Sequence, residues 1–479
     1  MAKKNITAMN PVIAFFGSVS GHLWNALTDG ILSLLDNRDK NAFNAEFGKE
    51  TLVASRFNKG FVISKHRKLT RRKSFENVLL AGPTGSGKTT RLLIKNLYEL
   101  KNCTIILNDP SKELYILASG YLSKFFTIKT LNFSNAAESS GFNPLSRIRK
   151  TSDINRVAQM LVSATLDKGG SSDPFWGLQS RLLISIFIRL IKHQPEETQH
   201  MGSVLKVLNH FAADQEKVDV WIAATGDEKL ILEYKAMVNT PDRTLQNIVA
   251  SAKAALLMFD DEEIAKVTSH DSIDFDGLRR KPTVLFLHDS VTDKKYTSTL
   301  NAMFFEQAYA YLLNRLPGKK ELDLFFILEE ASSLYIPTLP LALANARKHR
   351  VGTYICVQQP DQMETMYRDD AKNIYGNSVT KLFLPGITSM NLLRELETLS
   401  GKATVEDKKG RDVVRPLLTV DELRMLRKNK ALIVSGNHPY IMARTSPYYG
   451  SWFKYLPYSK IAPVPLQGDI PDGPVEYIR

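Results

Sequence analysis

The residues Gly82-Pro83-Thr84-Gly85-Ser86-Gly87-Lys88-Thr89 have the types and spacing of a phosphate cradle, G-x-x-x-x-G-K-[ST]. The glycines let the backbone curl until its N–H groups point at phosphate oxygens. Lys88 would reach the β- and γ-phosphates, and Thr89, with Thr90 behind it, would turn a hydroxyl toward Mg²⁺. A glycine-rich turn between strand and helix explains the glycines, but not Lys88 and Thr89 together. A second chemical set is Leu324-Phe325-Phe326-Ile327-Leu328-Glu329-Glu330, an apolar run ending in paired acids. In nucleotide hydrolysis the first acid, Glu329, helps hold Mg²⁺, and the second, Glu330, polarises the attacking water. The first acid of such pairs is usually Asp. The extra methylene of Glu329 moves its carboxylate by about 1.5 Å, which matters because Mg²⁺ demands near-octahedral geometry. An acidic cap on the next helix is the alternative reading of the pair.

These residues need elements to hold them. Asn77 to Ala81 reads as a buried strand and Thr89 to Leu97 as a helix with an apolar stripe, whose N-terminal dipole would add to the phosphate site. The run Thr353 to Val357 reads as a strand ending at Gln358, which is placed to sense a γ-phosphate; a structural strand end is the alternative. Arg347, in Ala346-Arg347-Lys348-His349-Arg350, is either a surface helix charge or an arginine that stabilises the transferring phosphate in a neighbouring subunit. Asp109 either caps the helix that begins near Glu113 or serves the chemistry. Trp176 is either a core anchor or a platform for a base. Lys65, Arg67, Lys68, Arg71, Arg72 and Lys73 form a basic run that is either a solvated flank or a sequence-independent DNA contact.

The strand–helix–strand rhythm around the loop, with strands ending at Asn108 and covering Phe125 to Ile128, implies a parallel sheet. The rhythm stops near residue 150. Ser152 to about Asp274 is helical in pattern, with Arg181 to Leu190, Glu228 to Tyr234 and Leu245 to Phe259 as the clearest helices, and reads as an all-helical insertion. Strands return at Thr283 to Leu287, Leu324 to Leu328, Thr353 to Val357, Val379 to Leu384 and Ala431 to Ser435. The expected organisation is an N-terminal segment over 1–45, a sheet domain over 46–151 and 275–455, an all-α insertion over 152–274 and a Pro/Gly-rich tail over 456–479, either extended or disordered.

The chain has 479 residues and a formal net charge of +13. The excess of basic residues points to a polyanionic partner, nucleic acid or an anionic membrane surface, or serves solubility alone. Cys103 and Cys356 lie in strand-like runs and read as buried free thiols of a reducing compartment. Pro11 to Leu35 is interrupted by His22, Asn25 and Asp29 and reads as an amphipathic helix docking on a partner, a membrane interface or its own core, rather than a span.

In order along the chain, the Gly82–Thr89 loop, Asp109-Pro110 running to Glu113-Leu114-Tyr115, Phe142-Asn143-Pro144-Leu145, Leu328-Glu329-Glu330, the Arg347 segment and Gln358-Gln359-Pro360-Asp361-Gln362-Met363 resemble the type IV coupling proteins, the motors of conjugative DNA transfer, over roughly residues 45–450. The resemblance implies an α/β fold: a RecA-like P-loop NTPase domain with a parallel-rich central sheet and an inserted all-α domain that receives cargo. It also implies a DNA-stimulated ATPase using ATP and Mg²⁺, a homohexamer with sequence-independent DNA in its channel, and a place at the cytoplasmic face of the bacterial inner membrane. Its partners would be a relaxase or relaxosome, met by the all-α domain, and the components of a type IV secretion channel. Another RecA- or FtsK-like translocase or helicase, or a recruitment platform with weak hydrolysis, are the alternatives. Three departures stand out. The family's pair of N-terminal membrane helices is not seen, which suggests a separate membrane subunit. Ser111-Lys112 replaces the usual Lys-Gly, and Glu329 replaces Asp.

Overall fold

The computed structural model describes residues 44–166, 174–289, 293–406 and 409–479. The N-terminal segment expected over 1–45 lies almost wholly outside the described residues. The described chain divides into two compact units, one made of Gly48–Leu393 and Asp421–Arg479, the other of Arg394–Val420 with residues 44–47.

The larger unit is built on a nine-stranded sheet. In chain order the strands are β1 (Val78–Ala81), β2 (Cys103–Asn108), β3 (Thr127–Asn132), β4 (Thr283–His288), β5 (Asp323–Leu328), β6 (Val351–Val357) and β7 (Thr380–Phe383), then β10 (Lys430–Ser435) and β11 (Ile441–Arg444). Their order across the sheet is β11-β10-β7-β1-β6-β5-β2-β4-β3. From β7 to β3 every neighbouring pair is parallel, and β10 and β11 close one edge with antiparallel pairings. Strands buried on both faces read as continuous apolar runs, as Leu324–Leu328 and Tyr354–Val357 do. The core on one face holds Phe61 edge-on to Phe325 and Tyr354, with ring centroids 5.0 and 5.1 Å away. β3 begins two residues later than the apolar run at Phe125, because pairing with β4 starts at Thr127 opposite Thr283.

The helices of this unit that matter here are α1 (Arg71–Ser74), α2 (Ile94–Glu99), which continues a π-helical turn at Thr89–Leu93, and α3 (Glu113–Leu122). Leu92, Leu93 and Leu97 are buried in the core cluster that also holds β1, so the phosphate-loop helix is fixed by its apolar stripe. Between β3 and β4 the chain is helical: α4 (Thr151–Leu166), α5 (Pro174–Lys192), α6 (Met201–Ala213), α7 (Gln215–Ala224), α8 (Glu228–Val238), α9 (Asp242–Leu256) and α10 (Glu262–Ser269). Among the described residues α5 is long and apolar enough to cross a membrane by length and composition. It packs on α4, α6, α8 and α9 and buries Leu183, Ile184, Ile186 and Phe187 completely, so here it is the core of the helical run. Trp176, in its first turn, is half-buried and sits edge-on to Phe175.

After β11, a short helix, Tyr455–Ser459, leads into the Pro/Gly-rich tail, which is extended and held. Val464 N–H donates to Ser119 Oγ, Gly468 N–H to the Ala137 carbonyl, and Asp469 pairs with Lys129 at 2.9 Å. Farther along, the Glu476 carbonyl meets His200 Nε2 at 2.7 Å, and Trp221 donates to the Arg479 carbonyl.

The smaller unit is an antiparallel hairpin of β8 (Lys402–Glu406) and β9 (Asp412–Pro416), with Ala45 N–H donating to the Lys402 carbonyl.

Candidate functional site

The phosphate loop leaves the buried end of β1 in the middle of the sheet. Gly82 N–H donates to the Val357 carbonyl (3.2 Å), tying the loop's first residue to the end of β6. Gly85 and Gly87 have φ of +80° and +90°, a region that side chains rarely adopt, and this gives the curl. Lys88 Nζ donates to the Gly82 carbonyl at 2.6 Å and so lies across the loop's mouth. Burial holds its ammonium below the ordinary lysine range, opposed by the nearby Glu329 and Glu330 carboxylates. The helix after the loop opens on a π turn, with Ile94 N–H donating to the Thr89 carbonyl; such turns recur at functional sites. Thr84 and Gly85 are exposed, Pro83, Gly87 and Thr90 half-buried, and Ser86 Oγ is buried with no hydrogen-bond partner.

The decisive contact joins the loop to β5. Thr89 Oγ1 donates to Glu329 Oε1 at 2.8 Å, across 240 residues of chain. Glu329 is 8% exposed, and its other oxygen, Oε2, is buried with no hydrogen-bond partner. Burial pushes this carboxyl up to about 7; the Thr89 hydroxyl lowers it, and Asp109, Glu113 and Glu330 raise it further. An orphaned carboxylate oxygen beside a threonine hydroxyl is an oxygen donor set that fits a hard divalent cation. Among the described residues no three His, Cys, Asp or Glu side chains converge as a resident metal site, so a cation here would share its ligands with a nucleotide's phosphates. With Glu in place of the usual Asp, the carboxylate still reaches the Thr89 hydroxyl.

Glu330 follows in a left-handed turn (φ +55°) at the end of β5, its carbonyl accepting from Ser333, and its charge acts on both Lys88 and Glu329. Gln358 directly follows Val357, which pairs in register with Ala81, so it lies beside the start of the loop. Lys88, Thr89, Glu329, Glu330 and Gln358 are thus assembled at the carboxyl ends of parallel strands, where α/β sheets bind ligands.

Arg347 is not brought there. It precedes β6, at the opposite end of the strand, where it pairs with Glu76 at 3.1 Å and remains half exposed. It lines an open hollow of about 460 Å³ with Arg72, Lys348 and Arg350. Asp109 resolves as a cap: its two oxygens accept from Leu114 and Tyr115 N–H of α3, and burial pushes it up to about 7. Of the basic run, Arg67, Lys68 and Arg71 are engaged by Glu50, Glu99 and Asp323.

Two contributors escaped the sequence reading. Asn108 Nδ2 donates to the Glu329 carbonyl (2.8 Å) and pins the acidic turn to β2. Gly386, at φ +97°, lets the chain after β7 close on Pro83, since a Cβ there would sit 2.9 Å from the proline ring. Asn108 precedes the Asp109-Pro110 element, which was the only signal for it.

Residues 40–462 match the family described as Type IV secretory system Conjugative DNA transfer. The chain belongs to that family. It is 23% identical over 402 residues to Protein VirD4 of Agrobacterium fabrum, covering 78% of this chain and 58% of that protein, and 23% identical over 400 residues to Protein VirD4 of Rhizobium radiobacter, covering 78% and 56%. The chain therefore spans a little under three fifths of the length of these relatives. Among solved structures it resembles the conjugative coupling protein TrwB lacking its first 70 residues, in complex with sulphate (TM-score 0.67, 18% identity, 85% of this chain and 94% of that one). TrwB in complex with ADP and Mg²⁺ gives a TM-score of 0.66 at 17% identity, covering 85% and 95%. At that identity the likeness is one of fold, and it bears out the expected RecA-like α/β architecture. Within this conjugative-transfer fold, Lys112 occupies a left-handed position (φ +57°), which is where the family's glycine is expected. Its ammonium pairs with Glu138.

Proposed function

We propose that this protein is the ATP-driven coupling motor of a conjugative DNA-transfer system, delivering a DNA–relaxase complex to a type IV secretion channel. The observation that carries the reading is the Thr89–Glu329 hydrogen bond with its orphaned, buried Oε2, beside Lys88 at the end of a central parallel strand. Membership of the conjugative-transfer family supports it.

In this reading the Gly82–Thr90 loop wraps the phosphates of ATP, and Lys88 leaves the Gly82 carbonyl to reach the β- and γ-phosphates. Thr89 and Glu329 are the protein ligands that would hold Mg²⁺. When bound, that cation neutralises charge on the phosphate oxygens. Glu330 orients the attacking water, and Gln358 reports the γ-phosphate to β6. Arg347, too far from its own loop, acts on the loop of the next subunit of a homohexameric ring. The net charge of +13 is compatible with sequence-independent contact with DNA. The helical run α4–α10 receives the relaxase, and the assembly works at the cytoplasmic face of the inner membrane.

The test is ATP hydrolysis by the purified protein, with and without single- and double-stranded DNA at low salt, using Lys88→Ala as the blank. DNA-stimulated turnover that disappears in the variant is expected. Nucleotide binding without turnover under every DNA condition would reject the motor and leave a recruitment platform.

A further inference from the structure

Away from the phosphate loop, two segments of the larger unit present large aromatic side chains to solvent. In one, Phe57 is 84% exposed; in the other, Tyr449, Trp452 and Phe453 are 56, 65 and 79% exposed. Both segments adjoin one cationic cluster. Arg56 and Lys454 are chain neighbours of Phe57 and Phe453, and the two segments meet at Glu99, which pairs with both Lys68 and Lys454, while Lys68 exchanges backbone hydrogen bonds with Ser55. Arg56, Lys65, His66 and Lys454 are exposed. Among the described residues, neither Arg56 nor Lys65 has an acidic side chain at ion-pair distance.

The second segment is held firmly from below. Tyr455 is 4% exposed, its hydroxyl donates to Glu99 Oε1 at 2.7 Å, and its ring joins a cluster with Tyr98 and Tyr458. Tyr448 packs against the main core. The exposed rings of the second segment therefore flank residues anchored in the core.

We propose that this aromatic and cationic tip docks on an anionic lipid bilayer, with Phe57, Trp452 and Phe453 entering the interfacial layer and Arg56 and Lys65 meeting lipid phosphates. Aromatic rings with lysine and arginine at their margin are the side chains that settle at a membrane–water interface, and cations near an anionic leaflet add attraction that salt screens. Nucleic acid fits less well. The ring centroids of Trp452 and Phe453 lie 3.7 Å apart, so a base could meet only their outer faces and could not slot between them. A contact between subunits is the competing occupant, and assembly size in the variant below reports on it. The contact rests on the proposed placement at the inner membrane and is independent of the motor chemistry.

The test is co-flotation of the full chain with vesicles of phosphatidylglycerol and phosphatidylcholine, and with vesicles of phosphatidylcholine alone. The natural chain should bind the anionic vesicles about tenfold more tightly than the neutral ones, and high salt should weaken that binding. The triple variant Phe57→Ser, Trp452→Ser, Phe453→Ser should lose about tenfold in vesicle affinity, with ATP binding and assembly size unchanged; because the three side chains are exposed, folding is not at stake. Equal binding by the variant would overturn the proposal. So would loss of single-stranded DNA binding with vesicle binding intact, or a smaller assembly. ATP binding, read separately, reports on the motor site alone.

Discussion

The two ends of the parallel sheet are built to opposite electrostatic rules. At the carboxyl ends, Glu329 is buried with one oxygen unpartnered beside Lys88 and Thr89, and its carboxyl is raised toward neutrality. At the amino ends, Asp323 is just as buried but fully answered: Arg71 and Arg350 both reach it at 2.6 Å, and Arg279 ties the neighbouring Leu322 and His349 carbonyls. One acid is left wanting a ligand and the other is neutralised within the chain. β6, seven residues long, spans the two ends, a separation of about 20 Å. Arg347 stands at the amino end, a strand's length from its own loop. A site and a scaffold can share one sheet because a strand's length keeps their charges apart.

The difference can be broken by substitution. The largest effect should come from Lys88→Ala, which removes the charge at the loop mouth and should abolish ATP turnover. Arg347→Ala should follow, with turnover down on the order of 10³-fold and unfolding by urea unchanged. Mixing it with Lys88→Ala subunits should restore part of the activity, since each variant supplies what the other lacks. Unimpaired turnover would return Arg347 to a surface partner of Glu76. Asp323→Ala leaves two guanidinium groups without their acid and should cost about 3 kcal/mol of stability, read from urea unfolding, while Mg²⁺–ATP binding persists. If binding fails as well, the two ends are not separable.

The smallest effect concerns Lys95, buried in α2 with its ammonium on the Ser446 carbonyl at 2.6 Å. Burial, with Lys65 and Arg91 nearby, pulls it down to about 8 against the ordinary 10.5. Between those values the unfolded chain binds more protons than the folded one, so this group's stabilising contribution is present above about pH 10.5 and is lost as pH falls through about 8. Lys95→Met should remove that dependence. Relative to the variant, the natural chain should gain roughly 2 kcal/mol between those pH values, measured by chemical denaturation at each pH.

Much of the sheet was legible because buried parallel strands are continuous apolar runs. β1, β2, β4, β5 and β6 each show one, and each lies within a residue or two of the expected bounds. The hairpin of Lys402–Glu406 with Asp412–Pro416 was not legible. Most of its residues are exposed or half-buried, so neither strand carries a run of apolar residues to betray it. β11 is four residues long and alternates in burial, too short for a pattern. The tail composition left open whether it was extended or disordered. The choice depended on partners such as Lys129 and His200, hundreds of residues upstream.

By itself the sequence determined the chemistry on offer. A phosphate cradle is a contiguous stretch whose glycines, lysine and threonine act through neighbouring backbone, and paired acids at the end of an apolar run declare themselves locally. Only the tertiary structure decided who meets whom: that Thr89 finds Glu329 across 240 residues, that Asp109 caps α3, that Arg67, Lys68 and Arg71 are taken up by acids of their own chain, and that Arg347 stands a full strand away from the loop. Those outcomes rest on strand order and register, which are set by long-range pairing and burial and so are written in no single stretch of the chain.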